Sequence, residues 1–209
     1  MTIRLQHLLP VSLLLLWLSG CAVQQPVPSD ISLTQEISER NQQLSALNNW
    51  KINGRIAFIQ ADKRESASLN WQYQQDGENN TRQRLDLTAP LGINVLHLES
   101  ENNRHILEVD GEKYHSDDLN GLIYSLTGLT LPTEALTYWL KGLAYLPQDK
   151  LSYDSMTQLP RTLTSLYNNR LWSVEYQNYQ VINQHRLATR FSITQADLNI
   201  KIHVKKWTL

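Results

Sequence analysis

The feature that most constrains this chain is a hydrophobic beat of period two that starts at Trp50 and returns, segment after segment, as far as Trp207. Successive side chains of a strand point to opposite faces, so strict alternation means a strand with one apolar and one polar side. Ile52, Gly54, Ile56 and Phe58 share one phase, and Lys51, Asn53, Arg55 and Ala57 the other. Ala67, Leu69, Trp71 and Tyr73 alternate with Ser68, Asn70 and Gln72. The beat continues through Leu85 and Leu87, through Leu96 and Leu98, and through His105, Leu107 and Val109, where Asp110-Gly111 signals a hairpin turn. Further strands are predicted at 162–167, 171–176, 186–194 and 198–207, with Asn168-Asn169 as a turn and 177–184 as a loop. Many short strands with one polar face each predict a single curved antiparallel sheet.

Two stretches leave this beat. Leu33, Ile37, Leu44 and Leu47 recur at helical spacing behind Ser32 and Gln35, which are placed as a capping box, so a helix is predicted over 32–48. Farther on, Ser116-Asp117-Asp118 offers an N-cap and first-turn acids. Leu119, Leu122, Ile123 and Leu126 then fall at helical spacing until Gly128. Pro132 opens a second short helix carrying Leu136, Trp139, Leu140 and Leu143. The concave face of a curved sheet needs a cover, and this greasy pair, within about 116–146, is expected to form it as a lid.

The N-terminus is of another kind. Arg4 and His7 precede an apolar run from Leu8 to Leu18, followed by Ser19-Gly20-Cys21. A basic start, an apolar core and small residues before a cut site make an export signal. The run is shorter than the roughly 20 residues a spanning helix needs. Leu18-Ser19-Gly20-Cys21 resembles the bacterial lipobox, which implies removal of 1–20 and acylation of Cys21. Several acyl chains, at about 0.8 kcal/mol per buried CH₂, anchor a protein almost permanently. Ala22 at the next position, where an Asp commonly signals inner-membrane retention, implies passage to the outer membrane. Residues 21–30, with Pro26 and Pro28 among small and polar neighbours, read as an extended tether, leaving 31–209 as one domain.

Several chemistries find no support. Cys21 is the only cysteine, so a disulfide or catalytic thiol has no partner in the sequence. Lys and Arg number 19 against 20 Asp and Glu, a balance unlike the basic stripe of a nucleic-acid binder. His97, His105, His115, His185 and His203 are scattered over different strands and loops, with no His, Asp or Glu at ligand spacing on one element, so no metal is expected. Asp117-Asp118 reads as helix-start acids rather than an acid/base pair, because adjacent helical residues diverge. No nucleophile elbow and no phosphate-cradling loop is present, and neither an enzyme nor a cofactor is expected.

Three motifs, taken in order behind the lipobox, resemble the LolB family of outer-membrane lipoprotein receptors. They are Asn49-Trp50-Lys51-Ile52-Asn53-Gly54-Arg55-Ile56-Ala57-Phe58, then Leu85-Asp86-Leu87-Thr88-Ala89-Pro90-Leu91-Gly92, then Leu126-Thr127-Gly128-Leu129-Thr130-Leu131-Pro132 followed by Trp139-Leu140-Lys141-Gly142-Leu143. The resemblance implies an incomplete, half-closed antiparallel β-barrel covered by a helical lid around a hydrophobic cavity. It implies a receptor that takes lipoproteins from the periplasmic carrier LolA, shelters their acyl chains and inserts them into the outer membrane, acting as a monomer. Pro90, Leu91 and Gly92 would then form a protruding loop whose leucine enters membrane lipid. Leu69, Trp71, Leu85, Leu96, Leu107, Leu122, Leu126, Leu136, Trp139 and Leu140 are the expected cavity and lid residues, with ordinary core packing the competing reading of each. Arg55, in the opposite phase, either bonds lid carbonyls or faces water. The alternatives to the receptor are a lipoprotein that carries another lipid and a structural assembly lipoprotein with a filled core.

Overall fold

The computed structural model describes residues 30–61, 63–77 and 80–209, with the side chains of residues 30–33 and of Leu91 left undescribed. The signal 1–20, the lipidation residue Cys21 and the tether up to Ser29 lie outside the described residues. Helix α1 (Asp30–Ser45) is followed by strands β1 (Asn49–Gln60), β2 (Lys63–Gln75), β3 (Thr81–Thr88), β4 (Asn94–Glu101), β5 (Arg104–Val109) and β6 (Glu112–Ser116). Helices α2 (Leu119–Thr127) and α3 (Thr133–Trp139) come next. The chain ends with β7 (Lys150–Tyr153), β8 (Pro160–Tyr167), β9 (Arg170–Ile182), β10 (His185–Gln195) and β11 (Leu198–Thr208). No helix among the described residues is long and apolar enough to cross a membrane.

All eleven strands join one antiparallel sheet in the order β6-β5-β4-β3-β2-β1-β11-β10-β9-β8-β7. The edges β6 and β7 are not paired with each other, so the barrel is open. This topology explains the lid. β6 and β7 are consecutive in sequence but lie at opposite edges, so the segment between them must travel from one edge to the other. That segment is the greasy α2–α3 insertion, and its buried Leu119, Ile123, Leu136 and Trp139 pack against the inner face of the sheet.

The alternation read from the sequence survives as two inward-facing rows. One runs Trp207, Ile52, Trp71, Leu85, Leu98, Leu107 across β11, β1, β2, β3, β4 and β5. The next runs Val204, Gly54, Leu69, Leu87, Leu96, Val109 across the same strands. Gly54 sits at a bulge in the β1–β11 pairing, where any Cβ would overlap the carbonyl of His203, so the two backbones approach as only glycine allows. Turn chemistry fixes the hairpins. Asp110-Gly111 (φ 53° and 83°) and Asn168-Asn169 (φ 49° and 57°) occupy the left-handed conformations of tight two-residue hairpins.

Three boundaries differ from the sequence reading. α1 already includes Asp30, so Ser32 lies inside the helix and is no cap; Gln35 donates to Glu39 one turn on at 2.9 Å instead. Residues 177–182 extend β9 rather than forming a loop, and the turn is the pair Asn183-Gln184, again left-handed (φ 45° and 71°). Gln177, Asn178 and Gln180 are exposed, and the partly buried Tyr179 and Ile182 that pack on the core lie three residues apart, off the two-residue beat, which hid the strand. β6 and β7, short and half-exposed edge strands, carry too weak an alternation to be read in advance.

Candidate functional site

Between the two inward rows and the lid lies a hollow of about 670 Å³, within the roughly 300–1,000 Å³ common for ligand pockets. Its floor is the inner face of β1 to β5 and β11, with Leu69, Trp71, Leu85, Leu96 and Leu107 among its lining. Its roof comes from α2 and α3, through Leu119, Ile123, Leu126 and Leu136. At one end of the lining Gln60, Lys63, Glu65 and Asp110 mark a polar mouth. Deeper in, Trp71 donates its Nε1–H to Gln83 Oε1 at 3.3 Å, which leaves the indole's apolar body facing the hollow with its one donor satisfied.

The hollow lies over β1 to β5 and β11, while buried side chains of α3, β8 and β9 cluster over the other half. Trp139 and Leu140, named among the cavity and lid residues with core packing as the competing reading, are 0 % and 1 % exposed and do not line it. Trp139 instead meets Trp172 and Tyr167, with ring centroids at 6.1 and 6.3 Å, filling the space over β8 and β9. Leu140 joins the same cluster. Leu122, on the lid helix α2, packs against the small cluster of Leu98, Leu107, Leu119 and Ile123 and is not among the residues lining the hollow. The periodicity of α3 marks its buried face correctly but carries no information on whether the opposite wall is close enough to fill the gap. The lining also includes residues the sequence did not single out, among them Ile56, Phe58, Leu87 and Val95, and Leu198, Ile200 and Ile202 from β11. Their signal was present for all but Val95, since the others lie in the inward phase of their strands; Val95 is the extra residue at the register shift between β3 and β4.

The two lid helices are held differently. Asp118 caps α2 by accepting from the Gly121 N–H at 2.9 Å, and Gly128 (φ 70°) ends it. Only Leu119 and Ile123 of α2 are buried. α3 and the turn after it are clamped from outside. Arg40 of α1 donates to the carbonyls of Lys141 and Gly142, and Lys141 Nζ donates to the Leu47 carbonyl at 3.3 Å. Thr133 Oγ1 donates to Asn120 Oδ1 at 2.9 Å and ties α2 to the start of α3.

At the mouth end stands the β3–β4 connection. Ala89 N donates to Ile93 O at 2.8 Å, and Gly92 N donates to Ala89 O at 3.2 Å, closing a single 3-10 turn at Pro90–Gly92. Pro90 enters this turn with a preset φ, and Gly92 leaves it at φ 82°, which other residues adopt only under strain. The backbone is thus a compact tip on a pinned base. Beside it Ile93 is 61 % exposed. The turns at 110–111, 168–169 and 196–197 lie at this same end of the sheet, so tip and mouth share one rim. Arg55 faces outward, away from the lid, and is exposed.

The histidines hold one arrangement that their scatter concealed. His97 Nδ1 meets Asp86 Oδ1 at 2.6 Å across the β3–β4 pair, and its Nε2 meets Glu99 Oε1 at 3.1 Å. These contacts join Arg84, which pairs with Asp86 and Glu99, in an outward-facing polar network, and among the described residues no three such side chains are placed to hold a metal.

The sequence matches the family model described as outer membrane lipoprotein LolB over residues 48–207. Proteins named outer-membrane lipoprotein LolB are similar over nearly the whole chain. That of Aeromonas hydrophila is 32 % identical over 196 residues, covering 93 % of each chain. That of Francisella tularensis is 31 % identical over 211 residues, covering 100 % of this chain and 97 % of its own. Among solved structures, a LolA superfamily protein from Nitrosomonas europaea shares the fold with a TM-score of 0.50 at 12 % identity, covering 84 % of this chain and 92 % of its own. A DUF1329 family protein from Desulfovibrio piger does so with a TM-score of 0.58 at 8 % identity, covering 88 % and 93 %.

Proposed function

Because the chain belongs to the LolB family of outer-membrane lipoproteins, we propose that it accepts lipoproteins from the periplasmic carrier LolA, shelters their acyl chains in the hollow and passes them into the outer membrane. The observation that carries this reading is the shared rim: an apolar hollow whose polar mouth lies at the same end of the sheet as the Pro90–Gly92 tip. Acyl chains exposed to the aqueous periplasm would cost tens of kcal/mol at about 0.8 kcal/mol per CH₂. A protein that handles them needs a water-free space and a way to deliver the chains without releasing them into water.

The lining supplies non-directional apolar contact, which suits chains of varied length and holds them without specific hydrogen bonds. Handover then runs down an affinity gradient and needs no nucleotide. In this reading Cys21 bears the lipid anchor, residues 21–30 form the tether, and the domain works as a monomer at the periplasmic face. Leu91, at the apex of a tip with a pinned base, enters the bilayer and brings the mouth against it. The hollow favours this reading over a scaffold with a filled core.

The test separates two steps with the Leu91→Glu variant. Acceptance of cargo from the loaded carrier is expected to persist, while transfer of that cargo to liposomes falls. Unchanged transfer removes Leu91 from the mechanism.

A further inference from the structure

The outer face of the sheet is divided into two electrostatic halves. On β3 and β4 the cations are paired: Arg82 with Glu101 at 3.0 Å, and Arg84 with Asp86 and Glu99 at 3.3 and 3.5 Å. On β1, β2, β10 and β11 they are not. Arg55, Arg64, Arg190 and Lys201 line one open groove of about 690 Å³, and none of the four forms an ion pair among the described residues. Glu175 is the groove's one carboxylate, on its far wall.

The strand register brings these side chains together. Arg190 lies directly opposite His203, and His203 directly opposite Arg55, so three basic side chains stand in a row across β10, β11 and β1. The two guanidinium groups thus flank one imidazole on the outer face, with no carboxylate between them in the row. The same row continues from Arg55 through Ser68 to Thr88, which ends β3 just before the tip, and Pro90 itself lines the groove. Beyond the other wall, Leu166 and Leu171 face each other on the outer side of the β8–β9 hairpin, 54 % and 64 % exposed, at the rim end.

We propose that this groove docks the anionic headgroups of phospholipids on the membrane that the Pro90–Gly92 tip enters. Charge complementarity names the occupant, and continuity with the tip names its source: cations beside a membrane-entering turn meet phosphates at the depth where that turn crosses the headgroup layer. Exposed apolar residues on both flanks, Ile93 on one side and the Leu166–Leu171 pair on the other, suit the same boundary. The proposal rests on the reading that the tip enters the bilayer, and the experiment keeps the two apart.

The mature chain with Cys21→Ala, exported behind an ordinary cleavable signal so that no acyl chain is attached, is sedimented with two kinds of vesicle. One is phosphatidylcholine alone, the other phosphatidylcholine with added phosphatidylglycerol. The expected result is tighter binding to the anionic vesicles that weakens with salt. Arg55→Gln with Arg190→Gln should reduce that binding by about 25-fold, the product of about fivefold for each basic side chain against an anionic surface. The double variant should bind phosphatidylcholine vesicles as the parent does, and Arg55→Lys with Arg190→Lys should retain the anionic preference. Leu91→Glu should weaken binding to both kinds of vesicle; if it does not, the tip reading fails while the groove is still judged by the arginine variants. Binding to anionic vesicles that is unchanged in the Gln variant overturns the proposal. So does a Gln variant with normal vesicle binding but impaired acceptance of cargo, which would assign the groove to an acidic protein partner.

Discussion

The guanidinium of Arg40, on α1, donates to the carbonyl oxygen of Lys141 at 3.1 Å and to that of Gly142 at 3.4 Å, bridging residues about a hundred positions apart in sequence. These carbonyls close the turn that follows α3, where Gly142 takes φ 72°. A cation at the end of a helical segment satisfies oxygens that have no partner within the helix. The packed half of the lid is thus bolted to α1. Arg40→Met is expected to lower unfolding stability by about 1.5–3 kcal/mol, the usual worth of hydrogen bonds to a charged group. Urea denaturation reads this, and binding of an apolar fluorescent probe below the transition should be unaffected.

Lys141 gives a pH signature. It is only 6 % exposed, and burial pushes its ammonium down to about 8. In the unfolded chain the same group titrates near its ordinary value of about 10.4. Below about pH 8 both states carry the proton, so the cost of burying the ammonium is fully present and stability does not change with pH through this group. Between about pH 8 and 10 the unfolded chain holds a proton that the folded chain has lost, so this contribution to stability rises with pH. Denaturant midpoints measured across that window should climb relative to those of Lys141→Met, in which the slope disappears.

The hollow and the packed half should respond oppositely to a change of volume. Leu85→Trp adds bulk to a half-buried lining residue that faces empty space, so it should leave stability nearly unchanged while reducing probe binding and acceptance of cargo. Trp139→Ala removes bulk from a filled site and should cost about 3–5 kcal/mol. Calorimetry and probe titration on the two variants separate the roles.

Legibility from sequence followed the physics of each element. Ile52, Trp71, Leu85 and Leu107 were read in the correct phase because a strand's two faces are written directly in alternation, and a one-residue slip would expose all of them. Asp118 and Gly128 were legible as the ends of α2 because caps are local. The vacancy of the hollow was not legible. Leu136 and Trp139 lie one turn apart on α3, yet one lines the hollow and the other is sealed against Trp172. That difference depends on which strand lies opposite, a distance set by curvature and not by any local pattern. The His97–Asp86 pair and the basic row of Arg190, His203 and Arg55 were hidden for a related reason: each is made by cross-strand register between segments far apart in sequence.

Gly92 tests the tip independently of its leucine. Gly92→Ala places a Cβ on a residue held at φ 82° and should strain the turn by about 1 kcal/mol. The expected outcome is normal acceptance of cargo with slower transfer to liposomes, because the contacts of the hollow are untouched while the turn that presents Leu91 loosens.

The central claim, that hydrocarbon tails occupy the hollow over β1 to β5, is tested most directly by photolabelling. A lipoprotein with a diazirine in its acyl chain is loaded on the carrier, mixed with this protein without nucleotide, irradiated, and the labelled residues are mapped by mass spectrometry. Label on Leu85, Leu96, Leu107 and Leu126, with none on Trp139 or Trp172, is the predicted result. Label confined to the outer face of the sheet, or none at all while cargo still moves, would contradict it.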